Sequence, residues 1–234
     1  MTSKARLNHF LRAAAMGASL FVAGLGAAAA AEDVIVVVPE GTAKPAALSG
    51  QVASWRKQLG ATNVVWVDSL KRDKPSGFAS MAVLNFKDSK QLDAWKKANA
   101  AALAAPLQVV AADTLVEGGK APKSAPIYKI SYYKLTSARK DIQAWVDGYL
   151  KKYLDVQVKA GILTRYAFYL EEGKGGRLLL VLEYADAAVE QNAEPIKEKL
   201  SDDIARVDAE YARQAKLKES LRVTQSWTLA VPTN

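Results

Sequence analysis

Between residues 127 and 184 the spacing of apolar positions changes three times. Residues 127–135 read as a strand, residues 144–159 recur at helical intervals, and residues 166–170 and 177–184 read as two more strands. Ile196, Leu200, Ile204, Val207 and Tyr211 then repeat at intervals of three and four. That predicts one long helix with an apolar stripe between charged flanks, with Pro195 at a start or a kink. A core-facing stripe is the expectation, and a partner-binding face is the alternative. The acidic and basic residues mixed along its flanks argue against a membrane surface. Residues 223–231, with Trp227, predict a last strand.

The first half follows the same order. Residues 34–38 are continuously apolar and β-branched, as in a strand buried on both faces. Residues 44–59 are helical in period, with Val52, Trp55 and Leu59 near one face and Gly60 as the stop. Strands are predicted at 64–67 and 78–86, separated by a charged turn at 71–77. Asp88 and Ser89 open a helix bearing Leu92, Trp95, Ala98, Ala102 and Leu103, which Pro106 closes. Residues 108–116 make the fourth strand. Two glycines and two prolines mark residues 117–126 as a linker. The expected division is therefore a first unit over 32–116, the linker, and a second unit over 127–234.

Several positions align the halves. Leu59-Gly60 matches Ala160-Gly161. Asn85-Phe86-Lys87-Asp88 matches Glu183-Tyr184-Ala185-Asp186. Trp55 and Trp145 fall in the same element. These matches suggest an internal duplication. The order β-α-β-β-α-β is the split βαβ, or ferredoxin-like, unit, whose antiparallel sheet carries both helices on one face. Here the strands are apolar on both faces: Tyr128, Ile130 and Tyr132 on one side of 127–135, Tyr133 and Leu135 on the other. Such a sheet needs a second cover, and a second unit stacked sheet to sheet supplies it. The fold class expected is thus α+β, with two ferredoxin-like βαββαβ units whose antiparallel sheets stack into a pseudo-dimeric α+β barrel. In the run Tyr132–Thr136, the tryptophan-bearing first helix, the Lys159-Ala160-Gly161 turn and the run Leu182–Asp186, the chain resembles the dimeric α+β barrel superfamily in a fused tandem form.

Composition adds three constraints. Lys4, Arg6 and Arg12 precede an apolar run that ends in Ala29-Ala30-Ala31, so residues 1–31 read as a cleaved signal peptide. Export to the periplasm or outside the cell is expected, with no stable membrane insertion after cleavage. That leader carries three of the 32 basic residues and none of the 24 acidic ones, so the remainder is basic by about five. Its positive charges alternate with acids, a solvated-face pattern rather than a nucleic-acid stripe. Finally, there is no cysteine, and the single histidine, His9, lies in the leader. Disulfides, thiol nucleophiles, Cys/His zinc sites, histidine-ligated haem and Ser-His-Asp triads are excluded.

The resembled superfamily includes cofactor-free oxygenases, haem-degrading enzymes, chlorite dismutase, dye peroxidases and proteins without known activity. The absent histidine disfavours its haem branch, so neither a cofactor nor a metal is expected. Polar residues on apolar strands are the site candidates: Lys129, Ser131 and Tyr133, then Arg165 and Tyr169, then Glu183, with Asn85 and Asp113 in the first half. Five carry the expectation of ligand binding. Lys129 and Arg165 suit an oxyanion, Glu183 suits a general base if buried, and Tyr133 and Tyr169 suit a pocket wall. The alternatives are a solvent-facing Lys129, a Glu183–Arg165 ion pair and core tyrosines. The turn at 173–177 lacks the Walker spacing and reads as a hairpin. The functional expectation is an exported barrel that binds a small apolar or amphipathic molecule or associates with itself, as monomer or homodimer. A cofactor-independent monooxygenase-like enzyme and a protein-interaction module are the alternatives.

Overall fold

The computed structural model describes residues 32–45, 47–70, 77–103, 106–120, 126–172 and 176–233. The predicted leader, residues 71–76 of the charged turn, residues 121–125 of the linker and residues 173–175 of the predicted hairpin lie outside the described residues. The first half runs β1 (Glu32–Val38), α1 (Leu48–Leu59), β2 (Val64–Leu70), β3 (Ser80–Leu84), α2 (Ser89–Asn99) and β4 (Gln108–Gly119). The second runs β5 (Ile127–Leu135), α3 (Arg139–Trp145), a π-helical turn (Val146–Leu150), α4 (Lys151–Lys159), β6 (Leu163–Glu171) and β7 (Arg177–Tyr184). It ends with α5 (Ala187–Val207), α6 (Ala209–Ala215), α7 (Lys218–Leu221) and β8 (Arg222–Pro232).

The strands close a barrel in the order β1-β3-β2-β8-β5-β7-β6-β4, antiparallel throughout. Each half places its own strands in the order fourth-first-third-second, the ferredoxin-like order. Two ladders join the halves, β2 to β8 and β4 to β6, so the stacked sheets are also continuous at their edges. The fold is an α+β barrel with its helices outside.

Strand alternation divides the apolar residues among three cores. Ile35, Val37, Met81, Ile130, Tyr132 and Leu179 fill the barrel. Val34, Val36, Trp55, Trp66 and Trp95 pack under α1 and α2. Tyr133, Trp145, Phe168, Leu178 and Tyr211 pack under α3–α6. Continuous apolar runs such as residues 34–38 serve both the barrel and the helix layer. The aligned positions play like parts. Asp88 and Asp186 each cap a helix, accepting from the Gln91 and Val189 amides at 2.8 and 2.9 Å. Gly60 and Gly161 both hold positive φ at the turn into the second strand of their half, 95° and 75°.

Several boundaries differ from the sequence pattern. β4 runs on through Gly119, so the first three residues of the predicted linker are strand. The reason is its ladder with β6, in which Gly118 and Gly119 face Tyr166 and Arg165. A Cβ on Gly118 would lie 2.6 Å from the Tyr166 hydroxyl, so glycine there reflects close strand approach rather than a flexible linker. The helix predicted from 144 begins at Arg139. The helix predicted from 44 begins at Leu48, and the strand predicted over 78–86 is Ser80–Leu84. The predicted stripe is interrupted at Asp208, whose side chain caps α6 by accepting from the Tyr211 amide at 2.9 Å. Leu200, Ile204 and Tyr211 meet the core, whereas Ile196 and Val207 are exposed.

Candidate functional site

One end of the barrel is polar. β6 and β7 bring Arg165 and Glu183 into register, and both follow the inward parity of Ala167, Tyr169, Leu179 and Val181. Glu183 is 1 % exposed. It accepts from Arg165 Nη2 at 3.2 Å and from Thr164 Oγ1 at 2.6 Å. Arg165 also reaches across to the first half, where Nη1 donates to the Thr62 carbonyl at 3.3 Å. Tyr128 of β5 lies against both charged groups. Burial first, and then the Glu183 carboxylate, push its hydroxyl pKa upward, so the phenol stays protonated.

The first half supplies the opposite wall. Asp33, on β1, takes a hydrogen bond from Asn85 Nδ2 at 2.9 Å and another from the Thr114 hydroxyl. Desolvation raises the Asp33 pKa. The two hydrogen bonds oppose that rise, and Glu117 and Asp113 add to it. Tyr169 lies beside this cluster; burial, and then the nearby Asp33, raise its pKa. A bulge in β4 between Thr114 and Val116 puts Leu115 and Val116 both on the helix side, so Glu117 turns to the barrel mouth.

Two spaces at this end share Asn85, Glu117 and Arg165 in their walls, with Asp33 behind Asn85 and lining neither. An inner cavity of about 30 Å³ is bounded by Val65, Val83, Tyr128, Tyr169, Val181 and Glu183, together with Asn85, Glu117 and Arg165. An outer cleft of about 390 Å³ is bounded by Thr62, Asn63, Gly118 and Gly119 and again by Asn85, Glu117 and Arg165. The inner space admits about one water-sized group, and the outer one is of small-ligand size.

Of the five sequence candidates, Arg165, Tyr169 and Glu183 meet at this mouth. Lys129 and Tyr133 do not join them, because their strand parity turns them outward. Lys129 donates to Glu190 of α5 at 3.3 Å and sits over the Trp227 ring. Tyr133 packs edge-on against Phe168 in the helix-side core. Asn85 belongs to the mouth. Asp113 turns outward and binds Arg139 at 2.5 Å. Three residues at this end of the barrel were not among the sequence's site candidates: Asp33, Tyr128 and Glu117. An acid at the head of an apolar strand was the available signal for Asp33. Glu117 had none, since a bulge decides its direction. Among the described residues no group of His, Cys, Asp or Glu is placed to hold a metal ion. No described helix is long and apolar enough to cross a membrane.

Neither a protein-family model nor a curated protein sequence matches the chain. Solved structures do match in fold. One is a provisionally assigned monooxygenase of Lactobacillus acidophilus, with TM-score 0.51, 9 % identity, and 86 % of this chain and 92 % of that chain covered. Another is an anthrone oxidase-like protein, with TM-score 0.52, 6 % identity, and 87 % and 91 % covered. A third is an uncharacterised ferredoxin-fold protein of Listeria monocytogenes related to antibiotic biosynthesis monooxygenases, with TM-score 0.49, 9 % identity, and 88 % and 96 % covered. The likeness to the first two is one of fold, and it agrees with the closed α+β barrel of two ferredoxin-like halves seen in the strand order.

Proposed function

We propose that this chain is a small-ligand-binding barrel protein whose ligand sits at the mouth formed by Asn85, Glu117 and Arg165. The observation that carries this reading is the sharing of those three side chains between the inner cavity and the outer cleft. Space sets the mode of binding. The barrel interior is filled by side chains, so an apolar molecule cannot be swallowed whole. An amphipathic one can rest in the cleft, with a single small group entering between Tyr128 and Tyr169. Arg165 offers donors to an acceptor on that ligand, and Glu117 offers an acceptor at the rim. The leader pattern adds export to the reading, and the aligned halves add an origin by duplication. Native mass spectrometry of the purified chain tests it. A co-purified small molecule should be retained by the native protein and lost in Arg165→Met. Retention by that variant would move the site elsewhere.

A cofactor-independent oxygenase is the second reading. It rests on the raised proton affinity of Asp33 beside Tyr169, together with the descriptions of two fold neighbours, one as a monooxygenase and one as anthrone oxidase-like. In this reading Asp33 accepts the proton that leaves the substrate before molecular oxygen reacts with it. Oxygen consumption with activated phenolic substrates, lost in Asp33→Asn and retained in Lys129→Ala, is the expected result. Equal rates in wild type and Asp33→Asn would remove the role.

A further inference from the structure

Among the described residues, Arg222 is a buried cation with no counter-charge beside it. It opens β8, pairs in register with Leu135 of β5, and is 9 % exposed. Its guanidinium carbon lies 3.6 Å from the centre of the Tyr133 ring and 5.2 Å from that of Trp145. Among the described residues no carboxylate pairs with it and no group accepts a hydrogen bond from it. Its Nε is sealed from solvent without an acceptor, and so is the Trp145 indole nitrogen in the same core. The two arginines at the barrel ends are built differently: Glu183 holds Arg165 and Glu171 holds Arg177.

Burying a cation is costly unless it is paired, and stacking on aromatic faces offsets only part of that cost. The neighbouring phenol does not help. Burial, and then Tyr211, raise the Tyr149 pKa, so no phenolate balances the charge. With Nε shut away, the two Nη groups carry what surface the guanidinium keeps. The chain leading into β8 is tied to the end of β5: Thr136 Oγ1 donates to the Ser220 carbonyl at 3.0 Å, and Ser137 Oγ donates to the Leu221 carbonyl at 3.3 Å. A rigid, aromatic-backed guanidinium with free outer donors is the arrangement that receives a planar or tetrahedral oxyanion.

We propose that Arg222 anchors an anion-binding site at the margin of the helix-covered core of the second half, apart from the barrel mouth, and that it takes a carboxylate or phosphate group. Arg222 stands at the Leu135 end of β5 and on its helix side, whereas the mouth lies at the Tyr128 end and inside the barrel. Ligand binding at Arg165 is therefore not required for it.

The test titrates inorganic phosphate, and separately acetate, into the full chain at ionic strength held constant with chloride. Melting temperature and tryptophan fluorescence are read for wild type, Arg222→Met, Arg222→Lys and Arg165→Met. A saturable rise in Tm with one anion is expected for wild type and Arg165→Met. It should be at least tenfold weaker in Arg222→Lys and absent in Arg222→Met. In chloride alone Arg222→Met should melt at or above wild type, because it no longer buries a lone charge. No saturable response in wild type, or one equal in Arg222→Met, overturns the proposal. So does a response lost in Arg165→Met and kept in Arg222→Met, which would place the anion at the mouth. Should Arg222→Met fail to fold, the wild-type titration and the Arg222→Lys weakening still decide.

Discussion

Asp33 is a carboxylate that folding makes easier, not harder, to protonate. Its folded pKa lies above the ordinary carboxylate value because burial penalises the charged form. The sign of the linkage follows. The protonated form is favoured by folding, so its contribution to stability is full below the unfolded pKa and is lost as pH rises through the folded one. Asp33→Asn should therefore raise Tm at neutral pH, and the gain should vanish once wild-type Asp33 is protonated in acid. A gain that grew towards acid in thermal melts would contradict the assignment. Gly119 makes a second prediction at this scale. It holds φ at 95°, and a Cβ there would overlap the Thr164 carbonyl of β6. Gly119→Ala should cost about 2 kcal/mol or more in urea unfolding, through backbone strain and the displaced β6 edge. Sequence reading marked this glycine as linker, because composition does not distinguish a bend from a close approach.

The helices on the second half are less regular than their sequence suggested. The π-helical turn at Val146–Leu150 interrupts the helix that begins at Arg139, and Gly148 within it faces α6. A Cβ on Gly148 would meet Gln214 Cγ at 2.9 Å. Gly148→Ala should thus destabilise the protein by about 1–3 kcal/mol by pushing α6 outward. Gln214→Ala in the same chain should recover part of that loss, since the two side chains compete for one space. A double-mutant cycle by denaturant unfolding measures the coupling, and additive losses would sink the explanation. The spacing of Ile196, Leu200, Ile204, Val207 and Tyr211 did identify a helix face. What it missed was the break at Asp208, where a capping aspartate overrides a periodicity that continues past it. Val207, just before the break, points to solvent for that reason.

At the scale of the molecule, two edge ladders and one interior core join the halves. A half on its own would expose the apolar barrel face together with two strand edges, and such surfaces associate. Residues 126–234 expressed alone should therefore form a homodimer that rebuilds a barrel by β6 and β8 edge pairing. Light scattering that found a stable folded monomer would contradict this account of the interface. The same closure explains why the candidate site was only partly legible. Arg165, Tyr169 and Glu183 share inward parity on adjacent strands, and polar positions on apolar strands were enough to mark them. Lys129 and Tyr133 carry the same signal but face the helices. Nothing in a strand apolar on both faces says which face is the barrel.

The sequence by itself determined the elements, their order, the repeat of that order and the need to cover both faces of each sheet. Those follow from local rules: apolar period, capping aspartates, glycines at turns. It also determined what chemistry the chain lacks, since no fold can supply a cysteine or a second histidine. Only the tertiary structure decided that the edges close, that a bulge in β4 turns Glu117 to the barrel mouth, that Asp33 meets Asn85 on the neighbouring strand and lies near Tyr169, and that, among the described residues, Arg222 is buried without a counter-ion. Each of these depends on the register and packing of strands far apart in the chain, and side-chain chemistry alone carries no record of which distant partner it will face.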